Sequence, residues 1–314
     1  METAPYFDDI SKSDRPAQAV WAQTSDGVRI RLAYWGAEKA RGTVLIFTGR
    51  TEYIEKYSLL AQDLNRVGFA VASADWRGQG VAGRMLDNPL LGHVGLFHDY
   101  QRDVAELLRW LEDQGAPRPW HLLAHSMGGT IALRSLINGM DVQTAVFSAP
   151  MCGIAVPWIK RPVAATVPAL ARRLGRELNL IPGGDRSSHI MATSFKENLL
   201  TTDRAHYDWF REQLERHPDL QLAGPSIRWL GEAMAETRAL KSADFPDIPT
   251  LVLLGSDEEI VSSRAIEDMV ERWDAARLVK IDGARHEIFM ERDALRDKAL
   301  RMALDHMGAS EPVA

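Results

Sequence analysis

The stretch Trp120 to Asn138, WHLLAHSMGGTIALRSLIN, constrains this chain more than any other. Leu122, Leu123 and Ala124 end a short apolar run. His125-Ser126-Met127-Gly128-Gly129 follows at once, and Ile131, Leu133, Leu136 and Ile137 then recur at helical spacing. The order predicts a buried strand, a very tight turn and a helix, with a serine at the apex. The string A-x-S-x-G is one residue away from G-x-S-x-G, in which the positions two before and two after the serine must be small because the turn is crowded. Gly128 meets that need fully and Ala124 less well. Such a turn lifts Ser126 Oγ above the sheet, and the helix start aims free N–H groups at the same point. The backbone N–H of Met127 is then one oxyanion donor. A serine N-cap opening a core helix would need the same residues, so the other catalytic parts have to be sought elsewhere in the chain.

Strands alternate with helices on both sides of this stretch. Val20–Thr24 and Val28–Tyr34 flank Asp26-Gly27 as a hairpin. Thr43 to Thr48 and Phe69 to Ala74 are continuous apolar runs of the kind buried on both faces of a parallel sheet. Helices are expected from about Lys56 to Val67 and from His98 to Gln114, and residues 1–16 as a loose tail. Thr144–Ser148 is another strand. From Met151 to about Asp247 the sequence is helix-like, with prolines and no convincing strand. The alternation resumes with Thr250–Gly255, a helix over Ser262–Arg272, Arg277–Ile281 and a last helix from about Ala294 to Met307. The fold class is α/β, a mostly parallel sheet with helices on both faces. Residues 1–150 and 245–314 form its core, and 151–244 are a helical insertion.

An elbow serine needs an acid and then a histidine later in the chain. His286 leaves the C-terminal end of the strand Arg277–Ile281, the edge where sites of open α/β sheets lie. It would take the Ser126 proton and return it to the leaving group. After Leu254, three carboxylates compete for the acid: Asp257, Glu258 and Glu259. The second oxyanion donor is expected from Thr48-Gly49-Arg50, as the backbone N–H of Arg50. The Arg50 side chain would either bind an anionic group or pair with an acid. Asp75-Trp76-Arg77-Gly78-Gln79-Gly80 is a structural turn with Arg77 in an internal ion pair, because no lysine or helix start completes a phosphate cradle there.

Bulk properties exclude several classes. The 314 residues carry a net charge of -6, which argues against nucleic acid as a main partner. The single cysteine, Cys152, excludes an intramolecular disulfide and fits a reducing compartment. No apolar run approaches a membrane span, and METAPYFDDISKSD has no apolar h-region, so a cytoplasmic protein is expected, at most peripheral to the inner face of the membrane.

Together the strings TGRTEYIEKY (Thr48–Tyr57), DWRGQG (Asp75–Gly80), GHV (Gly92–Val94), AHSMGG (Ala124–Gly129), GSDEEIV (Gly255–Val261) and GARHE (Gly283–Glu287) resemble the α/β-hydrolase superfamily. Within it they look like the lysophospholipase L2 and monoacylglycerol lipase group, also called serine aminopeptidase-like; NLLTTD (Asn198–Asp203) and GPSIRW (Gly224–Trp229) resemble the lysophospholipase branch. The resemblance implies a serine carboxylic-ester hydrolase acting through an acyl-enzyme on lysophospholipids or monoacylglycerols, with no metal or cofactor. Matching the family's G-x-x-D-x-I-V spacing on Ile260-Val261 places the acid at Glu258; matching on the aspartate gives Asp257 as second choice. Thr48-Gly49-Arg50 departs from the His-Gly usual in the group's lipases. Other hydrolases of this fold (aminopeptidase, small-ester esterase, acyltransferase) and a non-catalytic binding protein stand as alternatives.

The insertion would be a cap. Trp158, Trp209, Phe210 and Trp229 could line an acyl pocket or pack cap helices. Lys160, Arg161, Arg172, Arg173 and Arg176 among apolar residues make a basic amphipathic stretch, suited to an anionic bilayer surface or to a solvated face.

Overall fold

The apolar runs pair into one sheet. The computed structural model describes residues 1–155 and 161–309, the side chains of 161–165 excepted. Its strands are β1 (Glu2–Thr3), β2 (Gln18–Gln23), β3 (Arg29–Trp35), β4 (Thr43–Phe47), β5 (Ala70–Asp75), β6 (Trp120–His125), β7 (Thr144–Ser148), β8 (Thr250–Gly255) and β9 (Ala276–Ile281). They lie in the order β1-β2-β3-β5-β4-β6-β7-β8-β9. From β5 to β9 all neighbours are parallel, while β1, β2 and β3 add an antiparallel edge. The order reverses at β4, and ligand sites of open sheets form at such a point, beyond the strands' carboxyl ends.

Strands β4 to β8 are buried along their whole length, so they carry no polar alternation. Their side chains still divide by period two. Leu45, Phe47, Leu122 and Ala124 join one apolar layer, with Tyr100, Val104 and Leu107 of α2 (Tyr100–Asp113) and Ile131 of α3 (Met127–Ile137). Val44, Ile46 and Leu123 join the other, with Leu60 and Leu64 of α1 (Ser58–Arg66) and Ala299 and Ala303 of α9 (Asp293–His306). Each fully buried aliphatic side chain contributes about 1.5–3 kcal/mol, and this two-sided burial holds the sheet.

Between β7 and β8 the chain forms α4 (Arg161–Arg173), α5 (His189–Ala192), α6 (Arg204–Arg216) and α7 (Ile227–Leu240), with no strand among the described residues. Helix α4 packs on α7, which packs on α3. After β8, α8 (Ser263–Val270) leads to β9.

Two expectations are corrected. The N-terminal residues are not a loose tail. Thr3 pairs with Val20, Pro5 O accepts Arg31 Nη1 at 2.9 Å, and Ile10 O accepts Trp209 Nε1 at 3.1 Å. Buried side chains of distant elements satisfy this backbone, and local composition carries no sign of them. The helix expected from Lys56 begins at Ser58, after a 3-10 turn over Ile54–Tyr57. Arg77 does lie in an internal ion pair, 2.8 Å from both Asp26 and Asp103.

Candidate active site

Ser126 stands between β6 and α3 with φ 50° and ψ −119°, a backbone conformation that costs a non-glycine residue of order 1–3 kcal/mol. Its surroundings over-determine it. Ser126 N–H donates to Ser148 O at 3.1 Å, and Ser126 O accepts the amides of Gly129 and Met151 at 2.9 Å each. Gly128 is required by close approach: a side-chain carbon there would run into the carbonyl oxygens of Phe47 and Thr48. Helix α3 therefore rests directly on the end of β4, which brings Ser126 to the loop after β4. Ala124, fully buried, fits the smaller demand two residues before the serine.

The three adjacent carboxylates are separated by where they point. Glu258 Oε2 lies 2.7 Å from His286 Nδ1, and its Oε1 accepts the amides of Ile260 at 2.6 Å and Val261 at 2.9 Å. Burial works to raise the pKa of Glu258, but the hydrogen bond and charge of His286 and the two amides outweigh it, and the carboxyl lies below its ordinary range. Asp257 and Glu259 are exposed, and Asp257 accepts the neighbouring Ser256 hydroxyl at 2.9 Å. With Nδ1 committed to Glu258, Nε2 of His286 has no partner among the described residues.

The loop after β4 is braced from outside. Trp76 Nε1 donates to Thr48 O at 3.0 Å, and Gln79 Nε2 donates to Gly49 O at 2.8 Å. Gly49 N–H donates to Glu52 Oε2, so that amide is committed. The amides of Arg50 and Met127 have no acceptor among the described residues. The Asp75–Gly80 turn thus holds the loop that presents them, a role its glycine-rich composition did not reveal.

Behind the serine lies a buried ionic cluster that sequence inspection passed over. Lys56 Nζ is 2.5 Å from Glu52 Oε1 and 2.6 Å from Glu287 Oε1, and His125 Nε2 is 3.4 Å from Glu287 Oε2. Tyr57 OH donates to Glu52 Oε2 at 2.6 Å. Burial raises the pKa of Glu287, but Lys56 and His125 pull it well below the ordinary carboxylate value. Burial lowers that of His125, but Glu287 and Glu52 raise it above the ordinary value. Glu52, His125 and Glu287 offer ligand atoms within 4.8 Å of one another, as a metal would need, but the Lys56 ammonium already bridges both carboxylates. The available signals were the four-residue spacing of Glu52 and Lys56 and the acid next to His286.

Ser126, His286, Met127 and Arg50 line one cavity of about 490 Å³. Its walls are largely apolar and come from both the sheet edge (Ile260, Val261) and the insertion (Ile181, Leu222, Trp229, Leu230). Of Trp158, Trp209, Phe210 and Trp229, Trp229 reaches this cavity. Trp209 and Phe210 are core residues in the same apolar layer as α1 and α9, and Trp158 lies outside the described residues. Arg50 pairs with no acid among the described residues. Its Nη2 donates to Ala223 O at 2.6 Å, Nε is buried without a partner, and the guanidinium carbon stands 5.2 Å from the Trp229 ring centre. Burial pushes its pKa down to about 10.

A mostly parallel sheet, an elbow serine at its carboxyl edge and a histidine–acid pair on the following loops define an α/β-hydrolase. The chain belongs to the family described as serine aminopeptidase, S33, which matches residues 38–293. It is 33% identical over 296 residues to lysophospholipase L2 of Escherichia coli K12, covering 89% of this chain and 84% of that protein. It is 28% identical over 305 residues to a probable lysophospholipase L2 of Haemophilus influenzae, covering 96% and 93%. Among solved structures, a soluble variant of monoglyceride lipase from Saccharomyces cerevisiae, in complex with a substrate analog, superposes with a TM-score of 0.72 at 22% identity, covering 99% of this chain and 100% of that one. A carboxyl esterase from Bacillus coagulans gives 0.72 at 16% identity, covering 94% and 99%. At these identities the structures speak for the fold alone.

Proposed function

We propose that this protein is a serine hydrolase that deacylates single-chain lipid esters, lysophospholipids first and monoacylglycerols second. One observation carries the reading: His286 is oriented by Glu258 at 2.7 Å inside the apolar cavity that also holds Ser126. His286 Nε2 takes the proton of Ser126 Oγ as the oxygen attacks the ester carbonyl. The amides of Arg50 and Met127 hold the oxyanion, in a site where such donors are worth about 3–4 kcal/mol each. The proton passes to the leaving alcohol as the ester C–O bond breaks. Water then cleaves the acyl-enzyme by the same steps, and the fatty acid leaves. The relatives named lysophospholipase L2 support the substrate class, and residues 151–244 act as the cap that forms the apolar wall.

The cap also supports contact with a bilayer surface. Leu170, Leu174 and Leu178 are 58%, 60% and 45% exposed, four residues apart, with Arg173 and Arg176 between them and in no ion pair among the described residues. Arg172 is taken by Glu177 and Glu232; Lys160 and the Arg161 side chain lie outside the described residues. No described helix is long and apolar enough to cross a membrane, so the contact is peripheral.

The test is fatty acid release from lysophosphatidylcholine by the wild type and Ser126→Ala. Release lost in the variant supports both serine and substrate. Fluorophosphonate labelling of Ser126 without release, and cleavage of aminoacyl-arylamides instead, would move the assignment to a peptidase.

A further inference from the structure

We infer that the Arg50 side chain is the element of this pocket that recognises a phosphate on the head-group side of the substrate, a specificity role resting on the lipid-hydrolase reading above. The guanidinium lines the same cavity as Ser126, yet no carboxylate of the described residues pairs with it. Its neighbours are the Ala223 carbonyl, the Trp229 ring and Gly92, whose missing side chain makes room for Nη2. Nε is buried and has no hydrogen-bond partner among the described residues. A desolvated guanidinium with an open donor is costly unless an anion completes it.

The cavity's other buried cation is not available for that purpose. Lys56 is bridged between Glu52 and Glu287, so its charge is already met by two carboxylates. The other acid near Arg50, Asp185, is exposed and bound by His189 Nδ1 at 2.9 Å. Among the described residues, an anionic head group entering the cavity therefore finds the half-buried Arg50 as the guanidinium with no carboxylate partner. Arg50 brings to the cavity that holds Ser126 both this guanidinium and a backbone amide with no acceptor among the described residues. A guanidinium suits such an oxyanion because it donates two parallel hydrogen bonds.

The experiment compares kcat/KM for a lysophosphatidylethanolamine and a monoacylglycerol of the same acyl chain, in the wild type, Arg50→Gln and Arg50→Lys. The phospho-to-neutral ratio falls about 10- to 100-fold in Arg50→Gln, and Arg50→Lys keeps part of it. An unchanged ratio overturns the inference while leaving the hydrolase in place. Hydrolysis of neither lipid by the wild type removes the parent reading, and this one with it. A second arm uses the wild type alone, so it does not depend on the variants folding. Glycerol 3-phosphate competes with a neutral ester where glycerol at the same concentration does not. Equal weak effects from both count against the inference. Inorganic phosphate competing as well as glycerol 3-phosphate, with the lipid ratio unchanged in Arg50→Gln, assigns Arg50 to a free anion and overturns the head-group role.

Discussion

His286 Nδ1 lies 2.7 Å from Glu258 Oε2, and the other oxygen of that carboxylate is locked by the Ile260 and Val261 amides. The acid is thus held by its own loop before it meets the histidine. Glu258→Gln keeps the shape but offers His286 an amide that can hold the wrong tautomer. The expected loss in kcat is about 10³–10⁴-fold with KM little changed, on the scale known for such triads. Asp257→Asn, on the exposed neighbour, stays within about twofold of the wild type. Steady-state kinetics on one ester check both.

Lys56 neutralises two buried carboxylates, Glu52 and Glu287. Lys56→Met removes the cation they share and leaves the His125 imidazole alone against both, and the expected destabilisation is about 3–5 kcal/mol, the cost of breaking a buried pair from one side. Urea unfolding measures it. A loss below about 1 kcal/mol would mean that water reaches the cluster.

The same cluster gives stability a pH dependence with a defined sign. Lys56 and His125 hold Glu287 below its ordinary value of 4.5 against the effect of burial. Its contribution is therefore present above that value and lost as pH falls through the folded-state value. For His125, burial is outweighed by Glu287 and Glu52, and the pKa lies above 6.5. Its contribution is present below 6.5 and lost as pH rises through the raised value. Thermal unfolding should show both limbs, and Glu287→Gln should flatten the acid one. An acid limb as steep in the variant as in the wild type would assign it elsewhere.

Gln79 braces the loop after β4 by donating to Gly49 O at 2.8 Å and Glu52 O at 3.2 Å. Gln79→Leu frees both carbonyls and lets the Arg50 amide drift. We expect kcat to fall about tenfold or more with KM nearly constant, the pattern of a contact that matters only in the transition state. A rise in KM alone would place Gln79 in binding instead.

Leu170 and Leu174, between β7 and β8, are more than half exposed. Replacing both with serine should weaken co-sedimentation with phosphatidylglycerol vesicles about tenfold or more. Neutralising Arg173 and Arg176 should remove the preference over phosphatidylcholine vesicles. Binding indifferent to both changes would leave this face as ordinary solvated surface.

Much of this architecture was legible in the residues. Continuous apolar runs such as Thr43–Phe47 and Thr250–Gly255 mark strands buried on both faces, because burial on two sides removes polar alternation. The strand–turn–helix around Ser126 follows from small residues packed against a helical period. The late strand end fixes where His286 leaves the sheet. These are local signals, and short-range sterics and periodicity suffice to carry them.

Other features depended on which elements meet. Three adjacent acids look alike in sequence, and only the path of the 256–261 loop turns Glu258 inward while Asp257 and Glu259 face solvent. Glu52, Lys56, His125 and Glu287 are spread over 236 positions of chain, and no local pattern foretells that Lys56 and Glu287 come within 2.6 Å. Trp209 was indistinguishable from Trp229 as a pocket residue; both are buried in apolar layers, yet Trp229 also lines the cavity. The sequence by itself determined the sheet, the elbow and the chain order of its reactive groups, since backbone sterics and hydrophobic period act between near neighbours. Tertiary structure alone decided which carboxylate serves His286 and which cation, Arg50 or Lys56, stays unpaired, because charge pairing is set by distances between residues far apart along the chain.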